Sequence, residues 1–399
     1  MHTFEPARFF GLRTALLPWS TFTDWGQGLD DPQTGSAPED PYERNRPALR
    51  ERLRQLMSDP TFREALFIAS PDLDKAMEHW FENPDSEKGL RAERALVRYF
   101  SRMCGRSTPF GLFAGCSVGR RGEATRLSVA GQAAYVRHTR LDMDYLCTLA
   151  ETLAKDPALS QELRYRPNSS IYSAGGRLRY AEARMKDKSR SYHLVAVEET
   201  PYLLDTLKRA EPGASLRTLA EALVEPDISL EEAEGFIQEL VSSQLLVPEL
   251  QPAVTGPEPI HDLIAQLRER PEGASAADLL ESTRDALGTI DAEPLGLPRD
   301  RYLEIAERLR SLPAKVELNR LFQTDLVKPA PDATLGPEVL AEIERGIHLL
   351  HRLSGHSGKD SLSSFREAFQ ARYEEREIPL VEALDEESGV GFGGAQGPT

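Results

Sequence analysis

Between Lys88 and Gly115 the sequence permits few folds. Arginines at 91, 94, 98 and 102 recur in steps of three, four and four, which sets four guanidinium groups on one stripe of a helix, while Leu90, Val97, Phe100 and Met103 supply an apolar face. Like charges one turn apart repel by roughly a few tenths of a kcal/mol per pair, so the stripe implies an anion lying along it. Gly105 ends the helix and Arg106 follows. Thr108-Pro109-Phe110-Gly111 then forces an extended or turned path, because a residue before proline avoids the helical region and glycine admits positive φ. Arg102 and Arg106 therefore flank a bend. From Lys88 to Arg121 there are eight basic residues against one acid, Glu93, in a chain whose net charge is -16. That overall charge argues against nonspecific coating of nucleic acid, and the local excess reads as a focused anion site.

The rest of the chain surrounds this stretch with mixed elements. Phe9 to Pro18 reads as a short strand broken by proline, and 20–46 is polar, rich in proline and glycine, and expected as a loop. Helical patterns follow at 47–58, 60–69 and 72–82, the second opened by Asp59 as N-cap with Pro60 behind it. Strands are expected at 112–118 and 133–140, and a helix from Asp142 to about 155 with Asp142 at the N-cap. Three period-two runs, 170–173, 177–181 and 191–197, predict an antiparallel sheet. Helices are then expected at 201–210, 215–224 and 229–243, the last with Leu230, Phe236, Ile237 and Leu240 inward. Three strands and three short helices of this size suggest a winged-helix module. Its third helix carries Glu231, Glu232, Glu234 and Glu239 with no basic residue, so it would repel duplex DNA. After a Pro/Gly linker at 251–257 come helices at 258–269, 276–287 and 299–310, strands at 315–319 and 321–326, and a helix at 361–374. The fold class read from this order is α+β, with mixed helices and antiparallel sheets. Three regions are expected: 1–167, an α/β part carrying the arginine motif; 168–250, the module; and 251–399, helices and strands.

Other motifs carry less. Gly115-Cys116-Ser117-Val118-Gly119 fits the hydrolase elbow pattern, but no helix follows Ser117, so a small-residue strand is the better reading. His348, His351 and His356 lack a carboxylate or cysteine at ligand spacing, and no metal is expected. Gly389 to Gly394 has no helix after it to receive a phosphate. Cys104, Cys116 and Cys147 make neither a disulfide framework nor a zinc site, which places the chain in a reducing cytoplasm, and no apolar run is long enough for a membrane segment.

The run RYFSRMCGRSTPFGLFAG, 98–115, resembles the RY..R...R.TPFGLFAG signature of the class I lantibiotic dehydratases, in their glutamyl-tRNA-dependent glutamylation domain. Weaker likenesses are the Ala69-Ser70-Pro71 helix end, Gln323-Thr324-Asp325 before Pro329, and the order Arg372-Tyr373, Ile378-Pro379-Leu380, Leu384-Asp385, Gly389-Val390-Gly391-Phe392. Glu374 stands where the family usually has glycine. The resemblance runs from Phe9 to about Gly393, and family members continue well beyond it, so a truncated or split enzyme is expected.

The resemblance implies transfer of glutamate from its tRNA ester to Ser or Thr side chains of a ribosomally made precursor peptide. A separate domain would then eliminate glutamate. Arg91, Arg94, Arg98, Arg102 and Arg106 would bind the tRNA. Arg102, Arg106, Thr108, Asp142 and Asp325 would be the catalytic set, the arginines on phosphate and carbonyl, Thr108 orienting them or the substrate, and the aspartates on ribose, ammonium or incoming hydroxyl. The module would recognise the leader peptide as an added strand, through Tyr192, Leu194, Ala196, Phe236 and Leu240. No cofactor is expected beyond glutamyl-tRNA as co-substrate. The partners are the precursor peptide and tRNA-Glu, with an elimination subunit and a homodimer left open, and neither membrane nor duplex DNA among them. Two other readings stand beside this: a peptide aminoacyl-tRNA ligase-like enzyme that adds amino acids to a scaffold peptide, and a leader-binding fragment that catalyses nothing.

Overall fold

Two compact units share the chain in alternation, Met1–Thr152 with Pro252–Leu350, and Leu153–Gln251 with His351–Thr399. The computed structural model describes residues 6–29, 41–186, 189–353 and 361–392. His356, Lys188, Gly393 and Gly394 lie outside these residues.

The first pass through unit 1 gives β1 (Phe9–Ala15), α1 (Trp19–Trp25), α2 (Pro41–Met57), α3 (Pro60–Ala69), α4 (Pro71–Glu82), α5 (Glu87–Gly105), β2 (Ala114–Arg121), β3 (Val136–Leu141) and α6 (Met143–Leu153). The expected loop at 20–46 is corrected at both ends. Phe22 and Trp25 of α1 stack on Phe100 at 5.6 and 5.7 Å, a packing that outweighs the polar residues between them. Pro47, expected at a helix start, lies inside α2. Asp59 caps α3 by accepting from the Phe62 amide at 3.0 Å, and Ser70 with Pro71 starts α4 in the same way, so Ala69-Ser70-Pro71 is a helix end followed by a cap.

Unit 2 begins with α7 (Pro157–Glu162) and β4 (Tyr165–Pro167), followed by β5 (Tyr172–Ala174), β6 (Arg177–Lys186) and β7 (Ser189–Glu198). It continues with α8 (Pro201–Ala210), α9 (Leu216–Glu221), α10 (Leu230–Ser242) and β8 (Leu246–Pro248). The antiparallel sheet has the order β5-β6-β7, and β4 pairs with β8. The inner edge of β6 beyond β5 is closed by side chains. Ser170 Oγ accepts from the Ala181 amide at 2.9 Å, and the Asn168 and Gln244 amides bond the backbone of Ala181 and Ala183.

Back in unit 1 come α11 (Pro259–Arg268), α12 (Ala274–Ala292), α13 (Asp300–Leu309), β9 (Phe322–Val327), β10 (Thr334–Leu335) and α14 (Pro337–Leu353). The chain ends in unit 2 with α15 (Ser361–Tyr373) and α16 (Leu380–Leu384). The expected strand at 315–319 is absent. β9 starts only at Phe322, opposite Leu141, and β3 stops there because α6 begins, so earlier residues have no partner and Leu318–Arg320 coils into a short 3-10 turn. The region expected as 251–399 is divided, since 351–399 joins unit 2, where Arg179 and Tyr172 hold Asp385. The segment 153–167 also falls in unit 2, because β4 pairs with β8.

The unit 1 sheet runs β1-β2-β9-β3, with β10 beside β2. β9 is parallel to β2 and antiparallel to β3, so a late segment separates two strands that are neighbours in sequence. The result is the mixed α+β class with antiparallel sheets that the sequence pattern implies.

Candidate functional site

Helix α5 organises unit 1. Ser86 caps it by accepting from the Gly89 amide at 3.0 Å, and Ala92, Leu96, Phe100 and Met103 bury its inner face. Glu93, the one acid of the basic window, is also turned inward. It accepts from Trp80 Nε1 at 2.8 Å, Arg50 Nε at 2.7 Å and Arg46 Nε at 3.1 Å. Burial would raise its pKa, but these bonds outweigh burial and hold the carboxyl below its ordinary value. Its charge is therefore spent on the core side and does nothing to neutralise the outer stripe.

On that stripe Arg91 pairs with Glu87 one turn back. Arg94, Arg98 and Arg106 are exposed and have no charge or hydrogen-bond partner among the described residues. Arg102 is half-buried, with its guanidinium 4.1 Å over the Phe110 ring and its Nε buried without a partner. Tyr99, Phe113 and Phe110 continue this stack edge to face at 5.4 and 5.6 Å. Gly111 takes φ +53, and a Cβ there would stand 3.2 Å from Ile68, which fixes glycine at the bend. Thr108 is exposed, and its hydroxyl bonds neither arginine among the described residues, so the role of orienting them is not the one it fills here.

The bend feeds β2, where Gly115 lies opposite Leu326 of β9. Its bare face admits the Lys328 stem, since a Cβ would be 2.5 Å from Lys328 Cγ. Lys328 is buried, donates to the Ala15 carbonyl at 2.7 Å and sits 4.7 Å from the Tyr135 ring, and burial lowers its pKa. Ser117 is likewise buried and donates to the Lys328 carbonyl, as a packed strand residue would.

Asp325 lies one residue before Leu326, faces His138 across β3, and accepts from Arg140 Nη1 at 2.7 Å. Asp142 caps α6 by accepting from the Asp144 amide at 2.8 Å, and its own amide donates to the Leu321 carbonyl at 2.9 Å. The sheet thus sets Gly115 and Asp325 on paired strands, with Asp142 just past the end of β3. Among the described residues no hydrogen bond or ion pair joins Arg102, Arg106 or Thr108 to either aspartate. Sequence reading missed Arg140 and His138. His138 meets Glu258 through Nε2 and stands 3.8 Å from Asp291 through Nδ1. The alternation in Val136–Leu141, which puts His138 and Arg140 on the Asp325 face, was the available signal.

In unit 2, Tyr192 and Leu194 are exposed on β7, Ala196 is partly exposed, and β7 pairs only with β6 among the described residues. Phe236 is half-buried. Leu240 is a correction: with Ala233 and Ile237 it lies in the core of the unit and offers nothing to a ligand. On β6, Arg179 is buried against Asp385 and Glu387, and Arg184 pairs with Glu182. Among the described residues no cluster of His, Cys, Asp or Glu is arranged to hold a metal, and no helix is long and apolar enough to cross a membrane.

Comparison with known proteins follows the same lines. Residues 58–398 match the family model described as lantibiotic dehydratase, N terminus. The subtilin biosynthesis protein SpaB of Bacillus subtilis is 25% identical over 352 residues, 85% of this chain and 33% of that protein. The nisin biosynthesis protein NisB of Lactococcus lactis subsp. lactis is 19% identical over 347 residues, 85% of this chain and 34% of that protein. The chain spans about a third of the length of these relatives. Among solved structures, the tRNA-dependent lantibiotic dehydratase MibB from Microbispora sp. 107891 superposes with a TM-score of 0.71 at 23% identity, over 96% of this chain and 35% of that one. The TbtB glutamylation domain from thiomuracin biosynthesis, bound to 5'-phosphodesmethylglutamycin, gives 0.55 at 19% identity, over 84% of this chain and 41% of that one.

Proposed function

From the premise that the chain belongs to the lantibiotic dehydratase family, as its N-terminal part, we propose that it takes part in glutamyl-tRNA-dependent transfer of glutamate to Ser or Thr side chains of a ribosomally made precursor peptide. The observation that carries this reading is the outer face of α5. Arg94, Arg98 and Arg106, unpaired among the described residues, run toward and around a bend whose downstream strand lies beside the Asp325 strand. A guanidinium fork grips phosphate in two hydrogen bonds and keeps its charge at any cellular pH, which suits Arg102 and Arg106 to the acceptor end of an RNA. Transfer from an ester to a hydroxyl needs alignment and a stabilised oxyanion. Alignment supplies at best roughly 7 to 11 kcal/mol, and one charged donor about 3 to 4. Asp325, held by Arg140, is then placed to receive the ammonium of the aminoacyl group or the proton of the incoming hydroxyl, and Thr108 keeps a free hydroxyl for the substrate. The test is to incubate the protein, with any chain that supplies the rest of the family pattern, with charged tRNA and precursor peptide. Peptide mass should rise by one glutamyl residue per modified hydroxyl. An unchanged mass with the correct precursor rejects the reading.

A second reading, capture of the leader peptide without catalysis by this chain alone, is favoured by the outer edge of β7, which pairs with no strand among the described residues. An extended peptide can add there as a fourth strand, with Tyr192 and Leu194 flanking it. Titration with precursor peptide and with duplex DNA separates the possibilities. Peptide binding without transfer supports capture alone, and salt-sensitive DNA binding without peptide binding rejects it.

A further inference from the structure

One cavity of unit 1 adjoins the α5 stripe, and no role has yet been given to it. It opens between α1, α2 and α5, with a volume of about 460 Å³, within the range of small-molecule pockets. Its floor is apolar: Trp25, Leu49, Leu53 and Val97. Arg46 and Arg50 also border it, but they are tied to Glu93, so the wall is rigid and its acid is occupied. Arg94 and Arg98 stand at its edge, one turn apart and unpaired. An apolar cavity with Trp25 in its lining and two unpaired guanidinium groups beside it fits a ligand with an aromatic face and an attached anion.

The helix itself narrows the choice. From the cavity the stripe continues along α5 through Arg98 and Arg102, about 6 Å of helix apart, and Arg106 follows in extended backbone at the C-cap. A polyanion with regularly spaced charge matches that line. The distance from Arg98 to Arg106 is about 12 Å, and a stacked strand advances about 3.4 Å per nucleotide, so the cavity lies roughly three nucleotides from a strand end held at Arg106.

We propose that this cavity seats one unpaired nucleobase of the RNA whose end reaches Arg106, with Arg94 and Arg98 on its phosphate and the Trp25 side of the floor against its face. This rests on the tRNA-dependent reading above and adds a base-binding subsite to it. Aromatic and apolar floors bind any base by stacking, so position along the strand matters more than base identity.

The test uses the intact chain and a six-nucleotide single-stranded RNA with a free 3' end, labelled for fluorescence anisotropy, with abasic substitutions placed one at a time. Loss of the base at one position, roughly three from the 3' end, should weaken binding tenfold or more, while the other positions change it little. Leu49→Trp, which fills the cavity without touching a charge, should weaken the parent RNA to the level of that abasic strand and remove the positional effect. A melting curve checks that this variant is folded, and the abasic series needs no variant at all. Uniform small losses along the strand, no RNA binding, or displacement of the RNA by precursor peptide from the cavity would each overturn the subsite. The transfer assay separates the two ideas. Glutamate transfer with no positional effect rejects only the cavity, whereas no transfer rejects the function whatever the cavity binds.

Discussion

The side-chain amide of Gln244 donates to the Ala183 carbonyl at 2.8 Å and accepts from the Ala183 amide at 2.9 Å. Both bonds are those a neighbouring strand would make, so Gln244, with Asn168 and Ser170, closes the inner edge of β6 beyond β5. Gln244 holds this position at φ 62, a conformation that disfavours a side chain. Gln244→Ala should cost about 1 to 3 kcal/mol by leaving backbone groups unmet. Gln244→Gly should cost about 1 kcal/mol less than that, because strain is relieved. Urea denaturation of the two variants gives the order, and equal losses would mean the backbone strain is negligible.

Arg106 is exposed and unpaired among the described residues, so Arg106→Ala should change stability by no more than about 0.5 kcal/mol while abolishing transfer. Arg106→Lys keeps the charge and loses the fork, and it should remain poor. Circular dichroism beside the peptide-mass assay checks both. Full activity of the lysine variant would reduce Arg106 to a point charge.

The Arg140 and Asp325 pair distinguishes structure from chemistry. Half-exposed, it should contribute under about 1 kcal/mol to folding. Asp325→Asn should lower the transfer rate by roughly 100- to 1000-fold, as loss of one transition-state contact does. The exchanged pair Arg140→Asp with Asp325→Arg should recover stability and not activity. Recovered activity would assign both residues to strand pairing alone.

Asp385 is buried in unit 2, where burial would raise its pKa. Hydrogen bonds from Ser388 and Glu387, with Arg179 at 2.9 Å, more than offset burial and hold it below its ordinary 3.8. The folded pKa therefore lies below the unfolded one. Its stabilisation is complete above the ordinary carboxylate range and is lost as pH falls through the folded value. Asp385→Asn should cost about 1 to 3 kcal/mol at neutral pH, because the buried Arg179 loses one of its two carboxylate partners and keeps only Glu387 among the described residues. The difference from the parent should shrink below pH 4, read from denaturation midpoints across the acid range. A constant difference would place the effect in packing.

Glu374 takes φ 56 just past α15, where the family usually has glycine. Glu374→Gly should stabilise by about 1 kcal/mol, seen as a higher melting temperature. No gain would mean that the glutamate side chain compensates its backbone.

Long periodic elements were legible in the sequence. The arginine stripe, the Asp59 and Ser229 caps, the Gly111 bend and the three strands of the β5-β6-β7 sheet all follow local rules that residues impose on near neighbours. What could not be read depended on distant partners. α1 exists because Phe22 and Trp25 find Phe100, and β9 is short because β3 stops at Leu141. Leu240 was legible as an inward residue, and only the closure of unit 2 over it rules out the contact with a leader peptide also expected of it, while Leu230, expected inward beside it, is exposed. At the site, each aspartate was visible as a residue. Its neighbours, Arg140 for Asp325 and the Asp144 amide for Asp142, were visible only once strand and helix were in place.

The strand that carries Asp325 also sets a timetable. During synthesis β2 and β3 emerge within one stretch, yet they do not pair with each other, and the ribosome must add all the described elements from α6 to α13 before β9 can slip between them. For that interval the nascent unit exposes two facing strand margins and a half-made core, the condition under which chains associate wrongly. Closing a gap of this sequence length is slow as well, since the loop must be gathered before the new contacts form. The anion-facing helix can be ready early, but the strand that carries Asp325 arrives late, so Asp325 meets Arg140 only after most of unit 1 has been made.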